Sequence, residues 1–150
     1  MSSNLFDMTN KVALITGSSK GIGRAIAEEM VLQGAKVVIS SRKADVCQEV
    51  ADAINAEAKA SGNQTGEAIV IPAHVGQREA LQHLVDETRA RLGQIDVLVC
   101  NAAVNPFYGS MQELPDDAMD KILDINIKSN HWLVNMVLPE TIERKDGAMI

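Results

Sequence analysis

The segment from Val12 to Gly23 constrains the fold more than any other feature, because it joins an apolar run, a glycine turn and the start of a helical pattern. A short apolar run that ends at a glycine is typical of a buried parallel strand, and Ile22, Ile26 and Met30 then recur at helical spacing. Backbone N–H groups at such a turn point outward without partners, and the helix dipole favours negative charge there. The segment therefore predicts an anion site suited to phosphate.

The glycine spacing, Gly17-x3-Gly21-x-Gly23, differs from the common dinucleotide fingerprint, in which one residue separates the first two glycines. A glycine triplet alone indicates only a tight strand-to-helix turn. Here it lies between an apolar strand and an amphipathic helix, and this position favours a nucleotide-binding loop.

Composition narrows the class of protein. The chain has 150 residues, 46% of them hydrophobic and 3% aromatic, which predicts one compact domain. Given its glycine turn, we expect residues 1–150 to form a dinucleotide-binding domain. The formal charge of -6 argues against a nucleic-acid partner. Apolar runs are far shorter than the roughly 20 residues of a membrane span, and residues 1–7 do not have the composition of a signal peptide. We therefore expect a cytoplasmic protein that has no membrane partner.

The cysteines and histidines do not have the spacing of metal ligands. We expect no metal site, and we expect Cys47 and Cys100 to be reduced and buried.

Strand and helix patterns alternate along the chain, which predicts a doubly wound parallel sheet of the Rossmann type. The predicted strands are 11–16, 35–40, 68–72, 95–100 and 147–150, and the predicted helices are 21–33, 44–60, 77–92 and 115–144. The fifth strand is cut short at Ile150, so we expect the chain to be the amino-terminal part of a longer protein and to be unstable as an isolated monomer.

Ligands of such a sheet bind at the carboxyl ends of its strands. The phosphate turn, Ser41-Arg42, His74 and Asn101 all follow predicted strands, so they should converge on one crevice. A domain that prefers NAD usually has an acid after its second strand, but Ser41 and Arg42 stand there instead. The Arg42 guanidinium matches phosphate oxygens, and Lys20 adds a second cation. Together they favour NADP(H), although each alone would be read as an ordinary surface charge.

The stretch from Thr16 to Gly23 resembles the cofactor loop of the short-chain dehydrogenase/reductase family. Cys100 to Ala103 resembles the Asn-Asn-Ala-Gly motif of that family, and Asp124 to Asn126 resembles the segment with its helix asparagine. The resemblance implies a catalytic role for Asn126, which would hold a water in the proton relay. It also implies cofactor contacts from Gly17, Ser19, Lys20, Gly21, Ile22, Gly23, Ser41, Arg42, His74, Val75, Asn101, Ala102 and Ala103.

Simpler roles exist for three of these residues. Asn101 would then only cap a turn, and Asn126 would only satisfy backbone at a helix distortion. His74 stands where the family often has an aspartate that contacts the adenine amino group; a neutral imidazole can accept one hydrogen bond, and the alternative is a plain surface residue. Ala103 and Cys100 also depart from the motif, with alanine for glycine and cysteine for asparagine.

Residues 101–109 and 74–76 resemble NADPH-dependent carbonyl reductases of the family. That resemblance implies an oxidoreductase that transfers a hydride between NADP(H) and a carbonyl or alcohol substrate. The serine, tyrosine and lysine of the family's chemistry are not matched, since Tyr108 is the single tyrosine and Gln112 stands four positions after it. The alternatives are a dinucleotide-binding module without chemistry and, less favoured, a methyltransferase.

The resemblance also implies a homo-oligomer. The long predicted helix carries Trp132, Leu133, Met136 and Val137, which would meet a second subunit or pack on the chain's own sheet.

Overall fold

A computed structural model describes residues 5–63 and 65–150, so most of the amino-terminal segment 1–7 lies outside the described residues. The strands are β1 (Val12–Thr16), β2 (Lys36–Ser40), β3 (Glu67–Val70), β4 (Val97–Val99) and β5 (Ala148–Met149). The helices are α1 (Gly21–Leu32), α2 (Ala44–Ala60), α3 (Arg78–Leu92), α4 (Asp116–Leu123) and α5 (Ser129–Arg144). All strand pairs are parallel and the order is β3-β2-β1-β4-β5, which confirms the doubly wound fold.

Two apolar clusters cover the two faces of the sheet. Ala13 and Ile15 of β1 point into the cluster formed with α1 and α2, whereas Leu14 points into the cluster formed with α3 and α5. This alternation follows from the two-residue period of a strand, and burial on both faces explains why β1 is continuously apolar. One face of each helix is buried: Cys47, Val50, Ala51, Ile54 and Ala58 in α2, and Leu81, Leu84, Val85 and Thr88 in α3, while Leu92 is only partly buried.

The strand register brings the candidate site residues to one edge. Thr16 at the end of β1 pairs with Ser40 at the end of β2, and Ile15 pairs with Val99 of β4. The chain after β3 stays beside β2, because Ala73 donates its N–H to the Ser41 carbonyl. The segments that follow β1, β2, β3 and β4 therefore leave the sheet at the same edge.

The prediction of one helix over 115–144 is wrong in one respect. A π-helical turn, Asp124–Lys128, separates α4 from α5, and the Ser129 N–H bonds the Asp124 carbonyl five residues earlier. Side chains satisfy carbonyls at this widened turn: the Ser129 hydroxyl donates to the Ile125 carbonyl, and the Asn130 amide donates to the Asn126 carbonyl. Residue periodicity does not distinguish a π-turn from the α-helix around it. The preceding loop also contains a 3₁₀ turn at Met111–Glu113.

The hydrophobic residues of α5 divide between the core and the surface. Leu133 and Val137 are buried against the sheet, and Trp132 and Met136 pack partly against the same cluster. The chain's own core therefore uses this face of α5. In residues 5–63 and 65–150, no helix combines the length and apolar character needed to cross a bilayer.

Candidate functional site

The turn between β1 and α1 exposes backbone donors. Gly17 and Gly21 have φ of 66° and 57°, in the left-handed region where glycine is favoured. Lys20 precedes α1 in an extended conformation, and no side chain caps the helix or places an acid in its first turn. The first N–H groups of α1 are thus left for an external acceptor, and the helix dipole adds to their attraction for an anion.

Gly23 allows α1 to pack tightly against the turn. A Cβ at this position would lie 2.5 Å from Asn101 Nδ2 and 2.6 Å from the Gly17 carbonyl oxygen. The third glycine of the motif is therefore required by packing, and its backbone conformation does not itself need glycine.

Asn101 and Ala102 connect the glycine turn to the end of β4. The Asn101 amide donates to the carbonyls of Thr16 and Gly17, at 3.0 and 3.1 Å. The Ala102 N–H donates to Thr16 Oγ1 at 3.1 Å. Asn101 does more than cap a local turn, since its bonds span more than 80 residues of sequence. Ala103 lies at the exposed edge of the same segment.

Ser18 joins the glycine turn to the end of β2, a role that the sequence did not indicate. Its hydroxyl donates to the Ile15 carbonyl and accepts from the Ser40 N–H, and its own N–H donates to the Ser40 carbonyl. Ser18 is completely buried. The two neighbouring segments predicted to bind phosphate are thus held in one rigid frame.

Two cations, Lys20 and Arg42, lie near this frame. Within residues 5–63 and 65–150, the side chains of Lys20 and Arg42 are exposed and take part in no hydrogen bond or ion pair. The neighbouring Ser41 hydroxyl lies 3.1 Å from Cys47 Sγ. Ser19 is half-buried, and Ile22 is 75% exposed although it is apolar.

His74 and Val75 follow β3 at the same edge. Both are half-buried, and Val75 packs partly against the core. His74 Nδ1 accepts the Gly76 N–H at 3.1 Å. The imidazole is therefore held against its own turn.

Asn126 lies in the π-helical turn, and its side chain pairs with Val104 on the loop after β4. The side-chain oxygen accepts the Val104 N–H at 2.8 Å, and its Nδ2 donates to the Val104 carbonyl at 3.0 Å. The simpler role, satisfaction of backbone at a helix distortion, is present in the structure. Asn126 nevertheless lies at the same edge of the sheet, because its partner Val104 directly follows the segment 101–103 that contacts the glycine turn.

Cys100 and Tyr108 are two further titratable residues near the end of β4. Cys100 is half-buried rather than fully buried, and burial raises the pKa of its thiol. Tyr108 is fully exposed. Across the two described ranges, no cluster of three or more histidine, cysteine or acidic residues is arranged to hold a metal ion.

A cavity of about 590 Å³ lies near Thr9, Gly34 and Asn63, where the strands begin. It is at the opposite edge from the glycine turn, and no charged side chain lines it. The arrangement at the carboxyl edge is the better candidate, because it combines free backbone donors with cations.

Comparison with known proteins agrees with this geometry. The family model "short chain dehydrogenase" matches residues 11–150. Dehydrogenase/reductase SDR family member 4 from Bos taurus is 40% identical over 143 residues, which cover 95% of this chain and 49% of that protein. Human Dehydrogenase/reductase SDR family member 2, mitochondrial, is 41% identical over 95% of this chain and 48% of its own length. The chain thus spans about half the length of these curated relatives.

Solved structures share the fold. A metagenomic short-chain oxidoreductase in complex with NADP superimposes with a TM-score of 0.84 at 29% identity, over 95% of this chain and 62% of that one. Hydroxysteroid dehydrogenase from Escherichia coli superimposes with a TM-score of 0.83 at 28% identity, over 96% of this chain and 55% of that one.

Proposed function

The chain belongs to the short-chain dehydrogenase/reductase family, and on that premise we propose that it is the cofactor-binding part of an NADP(H)-dependent oxidoreductase that interconverts a carbonyl and an alcohol. One observation carries the cofactor assignment. The uncapped start of α1 and the unpartnered cations Lys20 and Arg42 lie on a frame that Ser18 holds together. Such a frame fits a dinucleotide with an additional phosphate on its adenosine ribose.

The pyrophosphate would occupy the start of α1. Its oxygens would accept from the backbone N–H groups between Gly17 and Gly23, where no side chain competes. The exposed Ile22 would be covered by the bound dinucleotide, which gives its exposure a reason. Ser19 and Lys20 flank the same turn and would contribute a hydroxyl and a positive charge.

The 2′-phosphate would lie against Ser41 and Arg42. The guanidinium of Arg42 offers paired donors, and Ser41 can donate its hydroxyl. The two positions directly after β2 hold Ser41 and Arg42, so no carboxylate stands there to repel the phosphate. Lys20 would approach the phosphate from the glycine turn. On the other side of the crevice, Asn101, Ala102 and Ala103 would form the wall beside the adenosine, with His74 and Val75 at the base.

The bound cofactor would supply or accept the hydride. Asn126 would hold a water for the proton relay, as the family resemblance implies. Because its side chain is paired with Val104, we assign the water to the Asn126 backbone carbonyl, which now receives the Asn130 amide at 2.9 Å and has a second lone pair. The residues that give the proton to the substrate would lie in the remaining half of the protein.

Charge reversal at Arg42 tests the cofactor assignment. In the complete protein, Arg42→Asp should weaken NADPH binding about 10- to 100-fold while NADH binding is kept or improved, because a charge-assisted hydrogen bond contributes about 1.5–3 kcal/mol. Lys59→Asp makes the same change of charge on an exposed residue at the far end of α2 and should leave both constants unchanged. An unchanged ratio of the two dissociation constants in Arg42→Asp would refute the assignment.

A dinucleotide-binding module without chemistry is the second candidate. It is favoured by the sequence itself, since the single tyrosine, Tyr108, has no lysine four positions later. The coding sequence beyond Ile150 separates the two: a Ser followed by Tyr-x-x-x-Lys supports the reductase, whereas a stop codon supports the module. We further propose that the complete protein is a cytoplasmic homo-oligomer, which cell fractionation and light scattering would test.

A further inference from the structure

The hydrogen-bonding state of His74 is fixed by its own turn. The Gly76 N–H donates to His74 Nδ1 at 3.1 Å. A backbone N–H is always a donor, so Nδ1 must present its lone pair, and in the neutral ring the proton is then on Nε2. The expectation that His74 accepts a hydrogen bond from the adenine amino group uses a ring nitrogen that is already occupied.

The absence of a side chain at Gly76 leaves room for the ring in this orientation. A Cβ on Gly76 would lie 3.0 Å from His74 Cε1, 3.2 Å from its Nδ1 and 2.8 Å from Ile125 Cδ1. The Nδ1–Cε1 edge of the imidazole therefore faces Gly76, and Ile125 of the π-helical turn lies close to the same position. Within residues 5–63 and 65–150, Nε2 has no hydrogen-bond acceptor.

His74 is also placed beside the proposed adenosine site. The N–H of Ala73, the preceding residue, donates to the Ser41 carbonyl at 3.1 Å, so the backbone at His74 leaves the sheet beside the Ser41-Arg42 pair. An adenine whose ribose phosphate meets Arg42 would lie within reach of the segment after β3. The polar edge of adenine carries one donor, the amino group, and acceptor nitrogens beside it.

We propose that His74 selects the base as a donor: Nε2–H donates to an acceptor nitrogen of adenine, and the amino group is not read by this side chain. This inference rests on the proposed function, because it requires NADP(H) in the crevice. The hydrogen bond from His74 would have the opposite direction to one made by an aspartate at the same place, since a carboxylate can only accept. His74 is then a specificity-determining residue with its own chemical signature.

An NADPH analogue with purine in place of adenine tests the proposal, because it lacks the amino group and keeps every acceptor nitrogen. Calorimetry on the complete protein should give dissociation constants for NADPH and the purine analogue that agree within about twofold. In His74→Asp, a carboxylate would take up the amino group, so the same ratio should rise about fivefold, as expected for one neutral hydrogen bond. His83→Asp introduces the same charge on an exposed residue of α3 and should keep the wild-type ratio.

Long-range ¹H–¹⁵N spectra of the wild-type protein provide a second measurement that needs no variant. They should show His74 with its proton on Nε2 and an unprotonated Nδ1. A fivefold or greater loss of affinity for the purine analogue in the wild-type protein would overturn the inference and leave the NADP(H) proposal intact. A proton on Nδ1 would do the same. Failure of the protein to bind NADPH at all would overturn the proposed function, and the inference with it.

Discussion

Gly23→Ala should disrupt both the stability of the chain and its cofactor site. The added methyl group would lie 2.5 Å from Asn101 Nδ2, 2.6 Å from the Gly17 carbonyl oxygen and 3.0 Å from Ser18 Cα. Two of these atoms belong to backbone, so they cannot move aside as a flexible side chain would. The Asn101 amide would be displaced from the Thr16 and Gly17 carbonyls.

The expected cost follows from these contacts. Overpacking typically costs about 1–3 kcal/mol, and each lost hydrogen bond adds about 0.5–1.5 kcal/mol. The higher helix propensity of alanine returns about 0.5–1 kcal/mol. We therefore expect the free energy of unfolding to fall by about 1–5 kcal/mol, with a decrease in Tm of about 2–4 °C for each kcal/mol. NADPH binding should be lost as well, because the donors of the turn are rearranged.

Circular dichroism melts and NADPH titration of the complete protein measure both effects. Gly62→Ala is the matched control, since Gly62 has φ of 82° but no atom within 4 Å of an added Cβ. It should lower Tm through backbone strain alone and leave NADPH affinity unchanged. Asn101→Ala should cost less in the Gly23→Ala background than in the wild type, because its bonds are already broken there. A Gly23→Ala protein with wild-type Tm and NADPH affinity would refute this description of the turn.

Three further predictions concern other parts of the chain. Asn101→Asp replaces a donor by an acceptor that faces two carbonyls. It should therefore destabilise the protein by about 1–3 kcal/mol and weaken NADPH binding. The control, Asn135→Asp on the exposed face of α5, should not weaken NADPH binding. Lys11 lowers the pKa of Asp146 and Asp146 raises that of Lys11, so their pairing should stabilise the fold above the ordinary pKa of Asp146 and below that of Lys11. This stabilisation should be lost as the pH decreases through the lowered pKa of Asp146 or increases through the raised pKa of Lys11. In urea melts, Asp146→Asn should slightly reduce the pH dependence of stability, whereas the control Glu49→Gln should not. The 150-residue polypeptide alone should show no NADPH-dependent reduction of simple ketones or dicarbonyls, and turnover would show that the proton donor lies within it.

The sequence predicted the sheet because its patterns are local. Glycines after β1 and apolar faces on α2 and α3 are visible in a short window, and strict alternation of strands and helices limits the connections to right-handed crossovers. The carboxyl-edge convergence of four segments follows from the same rule. These features needed no knowledge of which side chains touch.

The details that periodicity did not predict depend on contacts across long stretches of chain. The π-helical turn of Asp124–Lys128 is accompanied by the pairing of Asn126 with Val104, 22 residues away. Ser18 bonds Ser40 over the same separation, and nothing in its neighbourhood distinguishes it from Ser19. The tautomer of His74 depends on the direction of one backbone N–H. Each of these three features depends on contacts that exist only in the folded chain.

A crystal structure of the complete protein with NADPH would show where the cofactor phosphates bind. We expect pyrophosphate oxygens within hydrogen-bonding distance of backbone N–H groups between Gly17 and Gly23, with the 2′-phosphate against Arg42. A complex in which this turn binds no phosphate, or in which the adenosine lies away from Arg42, would contradict this expectation.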